Sequence, residues 1–146
     1  RRALSAIMWA ILVGSGTRLT GTLQVQAGAA VDGREVRIEG DLQADGAEAV
    51  VWQGGRIGGS VQLDRGRTAT LDGTVVVGAV QLVANGGLLW LQGLQVGADL
   101  QLFQNRGGAA LNGNVANGNL QCKENLPAPG GSGNRAASLE DQCAAL

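Results

Sequence analysis

Residues 19–24 read LTGTLQ, and this pattern of apolar, any, small, any, apolar and Gln returns five more times along the chain. The later copies are IEGDLQ at 38–43, IGGSVQ at 57–62, VVGAVQ at 76–81, VGADLQ at 96–101 and ANGNLQ at 116–121. Their nearly constant spacing indicates a structural repeat with a length of roughly 20 residues. The amide that ends each copy forms the most regular column of the sequence: Gln24, Gln43, Gln62, Gln81, Gln101 and Gln121.

Each repeat contains about three short strands. A second apolar position follows the amide, and alternation across a strand directs it to the same side as the first, with the amide on the other side. A third apolar column is predicted at Val31, Val51, Leu71, Leu91 and Leu111. Polar-Gly pairs such as Asp32-Gly33 and Asp72-Gly73 follow it and are interpreted as turns.

A repeat of this size cannot bury its apolar face alone, but stacked copies bury one continuous column. The sequence therefore predicts an all-β, single-domain parallel β-helix (a β-solenoid) of six to seven coils, each about 4.8 Å from the next. Right-handed coiling is favoured, because left-handed versions keep a strict hexapeptide repeat. Helical repeats are disfavoured by the 25 glycines and by the absence of a helical apolar periodicity.

Residues 1–146 are predicted to form one domain, with an apolar first coil at 1–18, regular coils at 19–122, and a loop plus a disulfide-pinned coil at 123–146. Extending the repeat backwards places Leu12 over Val31, and no charge lies between Arg2 and Arg18. An uncapped apolar edge is a template for another chain. The predicted assembly interface comprises Leu4, Ile7, Met8, Trp9, Ile11 and Leu12. The alternative is a remnant of a secretory signal; the run is too short to span a bilayer.

The two cysteines lie near the C-terminus, in the dipeptides Gln121-Cys122 and Gln142-Cys143. The distance between them along the chain is close to one coil, so we predict a disulfide that links two stacked coils. Two unrelated thiols are the alternative. A disulfide implies an oxidising compartment, and hence a secreted or cell-surface protein. The intervening segment 127–133, PAPGGSG, is predicted to be a mobile loop.

The C-terminal stretch GNLQCKENLPAP at 118–129, which is followed by DQC at 141–143, resembles secreted β-helical repeat proteins of bacteria, particularly actinobacteria. This resemblance implies an exported protein and supplies no activity. The coil rhythm is also similar to that of bactofilins, bacterial β-helices that polymerise end to end in the cytoplasm. The cysteine pair argues against that compartment.

Catalytic chemistry is not expected. The chain has no His, so Ser-His-Asp and Cys-His arrangements are excluded, and its carboxylates are dispersed. Asp41 and Asp99 occupy equivalent positions three coils apart and are interpreted as solvated surface charge. No cofactor or metal is predicted. The net charge is −1 and the ten arginines are interpreted as scattered, so nucleic acid is not an expected partner.

The glutamine column has two interpretations: stacked amides that stiffen one face, or a flat face that binds a polysaccharide or a lateral neighbour. Asn85, Asn105 and Asn125 are predicted to form a corner ladder with left-handed backbone. Trp52 and Trp90 are predicted to point outward as contact anchors, and partial burial under a corner is the alternative.

The leading hypothesis for function is a structural protein that self-assembles head to tail into an extracellular filament or surface array. The alternative is a monomeric secreted binding module for cell-wall glycan or a protein, which binds through the glutamine face. An enzyme of the β-helix lyase type is a third hypothesis, and the weakest.

Overall fold

The computed structural model describes residues 10–13 and 16–146, which form parallel sheets stacked as a β-solenoid of about seven turns. The described residues contain strands and turns and no helix. The predicted all-β, single-domain parallel β-helix is therefore confirmed.

Three sheets run along the rod, and we number the strands in chain order. Sheet I contains β1 (Ala10–Val13), β4 (Ala30–Arg34), β7 (Ala49–Gln53), β10 (Thr68–Asp72), β13 (Leu89–Gln92), β16 (Ala109–Asn112) and β19 (Gly130–Ser132). Sheet II contains β2 (Arg18–Leu19), β5 (Arg37–Ile38), β8 (Arg56–Ile57), β11 (Val75–Val76), β14 (Gln95–Val96) and β17 (Val115–Ala116). Sheet III contains β3 (Leu23–Val25), β6 (Leu42–Asp45), β9 (Val61–Asp64), β12 (Val80–Val83), β15 (Leu100–Phe103), β18 (Leu120–Lys123) and β20 (Leu139–Asp141).

The core consists of apolar columns in which each residue lies over its equivalent one turn away. Leu42 is paired with Val61, and Val61 with Val80, as the repeat predicts. All three are fully buried. Side chains alternate along each strand, so the residues between them face outward.

The corner between sheets III and I explains why left-handed backbone is needed. Here residues with positive φ follow one another up the rod: Gly46, Arg65, Ala84, Gln104 and Glu124. In four of these five turns the residue with positive φ immediately precedes a buried side chain of the corner, so the turn redirects the chain inward. The exception is Arg65, which is followed by a glycine. The prediction that Asn85, Asn105 and Asn125 themselves adopt this backbone is wrong, because the preceding residue does so.

The corner between sheets II and III contains polar side chains that connect successive turns by hydrogen bonds. The side-chain oxygens of Thr22, Asp41, Ser60 and Asp99 each accept a hydrogen bond from a backbone amide one turn further on, at 2.7–3.1 Å. Asp41 and Asp99 are partly buried here. Their interpretation as solvated surface charge is therefore wrong: they hold successive turns together.

The predicted third apolar column is out of phase in the first two turns. Val31 pairs with Val50, whereas Val51 pairs with Asp32 on the outer side of sheet I. Trp52 is fully buried, so its predicted outward orientation is wrong. It lies in register between Gly33 and Leu71, and the indole occupies the space that a side chain at residue 33 would need. Asp32-Gly33 is consequently part of a strand rather than a turn.

Both ends of the rod also differ from the prediction. Ile11, not Leu12, pairs with Val31, and Leu12 pairs with Asp32, because the first turn is longer than the backward extrapolation assumes. At the C-terminal end, the predicted mobile loop at 127–133 contains β19, which extends sheet I. Glycines lack side chains but still form ladder hydrogen bonds, so this Gly-rich segment can continue the sheet.

Candidate functional site

The glutamine column of sheet III forms a continuous ladder, as predicted. The six side chains are paired in register, and the Nε2 of each of the first five donates to the Oε1 of the next glutamine toward the C-terminus. The five donor–acceptor distances are 3.1, 3.3, 3.4, 2.7 and 2.6 Å. Because every amide points the same way, the ladder has a donor direction along the rod.

A carboxylate ends this ladder. Gln121 donates its Nε2 to the Oε1 of Glu140 at 2.8 Å, and the hydroxyl of Ser138 donates to the other carboxylate oxygen. These two hydrogen bonds hold the pKa of Glu140 below its usual value of 4.5, and the hydrogen bond from Ser138 has the larger effect. Glu140 is therefore an ionised acceptor at the last rung.

Charged residues line one edge of the ladder at the corner toward sheet I. Asp45 and Asp64 are paired in register, and Arg65 forms an ion pair with Asp45. The hydrogen bond from Arg65 lowers the pKa of Asp45, whereas partial burial raises the pKa of Asp64. Neighbouring carboxylates thus have opposite shifts, since only one of them is tightly paired.

A second amide ladder lies inside the rod. Asn85, Asn105 and Asn125 are at most 4% exposed, and each Nδ2 donates to a backbone carbonyl of the preceding turn at 2.8–2.9 Å. The Oδ1 of Asn105 accepts both the backbone amide and the Nδ2 of Asn85. The last rung is Gln142, which accepts two hydrogen bonds from Asn125. The predicted corner ladder is thus confirmed, in a buried position.

A third ladder was missed by the sequence analysis. Asn114 and Asn134 occupy the corner between sheets I and II, where Asn114 donates to Leu91 and Asn134 and is 1% exposed. Asn134 in turn donates to the carbonyl of Leu146. Their repeat spacing was visible in the sequence, but the equivalent positions in earlier turns are Leu94 and Thr74, so the column changes chemistry along the rod.

The disulfide joins Cys122 to Cys143 with a Cα–Cα distance of 5.3 Å, as predicted. The proposed equivalence of the two Gln-Cys dipeptides is wrong, because Gln121 pairs with Glu140 rather than Gln142. After β20 the chain turns, which brings buried Cys143 over the core. The last residues therefore close the C-terminal end of the rod.

The predicted assembly interface is only partly within the described residues. Ile11 and Leu12 lie on β1, the outermost strand of sheet I, whereas Leu4, Ile7, Met8 and Trp9 lie outside the described residues. At the other end of the same sheet is β19, whose residues are all exposed. Sheet I therefore has an end strand at each end of the rod.

Trp90 lies on the outer face of sheet I and is 40% exposed, which confirms its predicted outward orientation. Thr70 and Ala110 flank it on the adjacent strands, so small side chains surround the indole. Its Nε1 donates to Gln92 at 3.1 Å. Such an exposed ring offers a flat apolar contact surface.

Sheet II carries a column of arginines that the sequence analysis overlooked. Arg18, Arg37 and Arg56 are paired in register on β2, β5 and β8, and all three are exposed. They recur at the same interval as the repeat itself, which is the signal that could have identified them. The interpretation of the arginines as scattered is therefore wrong for this sheet.

Within residues 10–13 and 16–146, no three His, Cys, Asp or Glu side chains are grouped so that they could hold a metal ion. Over the same part of the chain, no helix has the length and apolar character needed to cross a bilayer.

Comparisons with known proteins identified no relative. No protein-family model matches the chain, and neither the curated proteins nor the solved structures gave a match.

Proposed function

We propose that this chain is a structural protein whose rods stack head to tail into an extracellular filament or surface array. The observation that carries the proposal is the position of β1 and β19 as the two end strands of sheet I. In the described part of the chain, each is paired on one side only. An unpaired strand edge is a template for a further strand. Placing β1 of one copy on β19 of another would continue the same parallel sheet.

The sequence and the disulfide support this arrangement. Residues 3–14 carry no charge, and their apolar side chains would be covered by contact with a second copy. Contact between two different ends does not close on itself, so it propagates as a fibre. The disulfide is compatible with an extracellular location, because such bonds persist in oxidising compartments.

The test is electron microscopy and sedimentation velocity of the full chain over a range of concentrations. Trp9→Lys places a charge in the apolar segment, and Gly130→Lys places one on β19. A side chain at residue 130 would meet no heavy atom within 4 Å, so the fold should tolerate it. Gly86→Lys is the matched control at mid-rod, where the nearest atom to an added Cβ is 4.0 Å away.

We expect the wild type and Gly86→Lys to form filaments, and both end variants to remain discrete particles. Discrete wild-type particles at every concentration would contradict the proposal. Loss of assembly in Trp9→Lys alone would indicate a contact between two N-terminal ends, which gives a closed dimer instead of a filament.

The second candidate function is a monomeric secreted module that binds cell-wall glycan or a protein. The continuous amide ladder of sheet III favours it, because regularly spaced amides can both donate and accept along an extended ligand. Deleting residues 1–13 separates the two candidates: assembly should be lost if the first is correct, and binding to insoluble cell-wall material should persist if the second is correct.

A further inference from the structure

The arginine column of sheet II is a concentration of positive charge on a chain of net charge −1. Adjacent strands lie about 4.8 Å apart, so the three guanidinium groups emerge from neighbouring rungs of one flat face. In-register like charges repel one another. Such a column therefore stabilises nothing in the isolated rod unless carboxylates neutralise it.

Only the first arginine of this column is neutralised by a described residue. Arg18 forms an ion pair with Glu39 through both Nε and Nη2. Arg37 and Arg56 form no ion pair with any carboxylate of the described residues. Glu35 lines a depression together with both of them but forms an ion pair with neither, so two adjacent guanidinium groups are open to an external anion.

The surface beside these arginines is shaped to admit an extended ligand. Arg37, Arg56 and Gly58 line a shallow depression together with the ion pair of Arg18 and Glu39. Arg56 also borders a second depression, which contains Val75 and Val77. A Cβ at Gly58 would lie 2.5 Å from the carbonyl oxygen of Glu39. Because glycine has no side chain, the surface of the depression is flat at this point. Val77 is 45% exposed. The face thus passes from charged to apolar along the rod axis.

We propose that this face binds a linear glycan that carries carboxylate groups. Arginine holds carboxylates through paired N–H donors, which matches the two free guanidinium groups. Where such a glycan lies along the rod axis, one of its carboxylates binds Arg37 and another binds Arg56. The apolar faces of further sugars then lie on Val75 and Val77. This site is separate from the glutamine face and does not depend on assembly.

A nucleic acid is a poorer fit to the same charges. Single-stranded nucleic acid is held by base stacking on aromatic side chains as well as by basic residues. Sheet II presents Arg, Val and Gln on its outer face, and within the described residues its strands contain no aromatic side chain. The observations therefore favour the glycan.

The experiment measures binding of the full chain to polygalacturonate at low and high salt, with neutral dextran, single-stranded DNA and polyphosphate as comparison ligands. The test variant is Arg37→Gln/Arg56→Gln. The matched control is Arg67→Gln/Arg106→Gln, which removes the same charge from exposed positions outside sheet II. Thermal unfolding of both variants checks that the fold is retained.

We expect the wild type to bind polygalacturonate more tightly than DNA or polyphosphate, with affinity falling as salt increases. The sheet II variant should lose about tenfold in affinity, because two exposed charge pairs are removed. The control variant should change less than about twofold. Equal losses in the two variants, no binding by the wild type, or tighter binding of DNA or polyphosphate would each overturn the proposal. Filament formation by the Arg37→Gln/Arg56→Gln variant reports on assembly separately.

Discussion

Asn105→Ala tests whether the buried amide ladder stabilises the rod. The side chain is 1% exposed and makes four hydrogen bonds within it. Its Nδ2 donates to Leu82 and Asn125, each at 2.9 Å. Its Oδ1 accepts the backbone amide and the Nδ2 of Asn85, at 2.9 and 3.0 Å. Alanine removes all four bonds and leaves buried partners without a replacement.

The magnitude follows from this count. A net contribution of about 1 kcal/mol for each hydrogen bond predicts a loss of about 4 kcal/mol in the free energy of unfolding. For a domain of this size, each kcal/mol lowers the melting temperature by about 2–4 °C, so the decrease should be about 8–16 °C. Guanidinium unfolding followed by far-ultraviolet circular dichroism gives the first quantity, and calorimetry gives the second.

Asn117→Ala is the matched control. It makes the same chemical change in the same part of the rod, but Asn117 is exposed. We expect its unfolding free energy to change by less than about 0.5 kcal/mol. If Asn105→Ala loses less than about 1 kcal/mol, or no more than Asn117→Ala, the buried ladder does not stabilise the fold as argued.

Three further predictions follow from named contacts. Replacing Cys122 and Cys143 with Ala should lower the unfolding free energy by about 3 kcal/mol in the chain-entropy model, measured by chemical denaturation against the oxidised wild type; an unchanged midpoint would contradict it. Gly33→Ala should cost about 2 kcal/mol, because an added Cβ lies 2.5 Å from the indole of Trp52; in a Trp52→Leu background it should be nearly neutral, and an equal cost in both backgrounds would refute the contact. Glu140→Gln keeps an acceptor for the ladder but removes the charge. Because the pKa of Glu140 is lowered in the folded state, its ionised form stabilises the fold above about pH 4.5, and this contribution is lost as the pH falls through the lowered pKa. The difference in melting temperature between wild type and variant should therefore shrink on acidification. A difference that does not depend on pH would contradict this prediction.

The repeat was sufficient to predict the architecture, because side chains that recur once per repeat can share one buried column only if the turns stack. The glutamine column determined the register of sheet III from β3 to β18, since the same residue type recurs in those six turns. Sheet I has no such marker. There the inward residue changes from Gly33 to Trp52 to Leu71. The correct register of these strands becomes evident only when the large indole of Trp52 is seen to fill the space left by the glycine.

Local chemistry also misled the sequence interpretation at the C-terminus. A repeated Gln-Cys dipeptide suggested equivalent positions, but Gln142 instead caps the buried asparagine ladder. The partly buried role of Asp41 was equally hidden, because a carboxylate that accepts a backbone amide and a solvated carboxylate have the same sequence signature. The arginine column, by contrast, could have been predicted, because its residues recur at the interval of the repeat. The net charge of −1 drew attention away from this local concentration of positive charge.

The donor direction of the ladders bears on how rods can join. Every glutamine of the ladder donates toward the C-terminus, and a carboxylate accepts from the last one. Glu140 has no proton to donate onward, so a further coil could continue the ladder at this end only by donating to the carboxylate. The asparagine ladders stop in the same way, on the side-chain oxygen of Gln142 and the carbonyl of Leu146. A head-to-tail contact through sheet I would instead use the backbone edges of β1 and β19, which do not depend on the donor direction of the ladders.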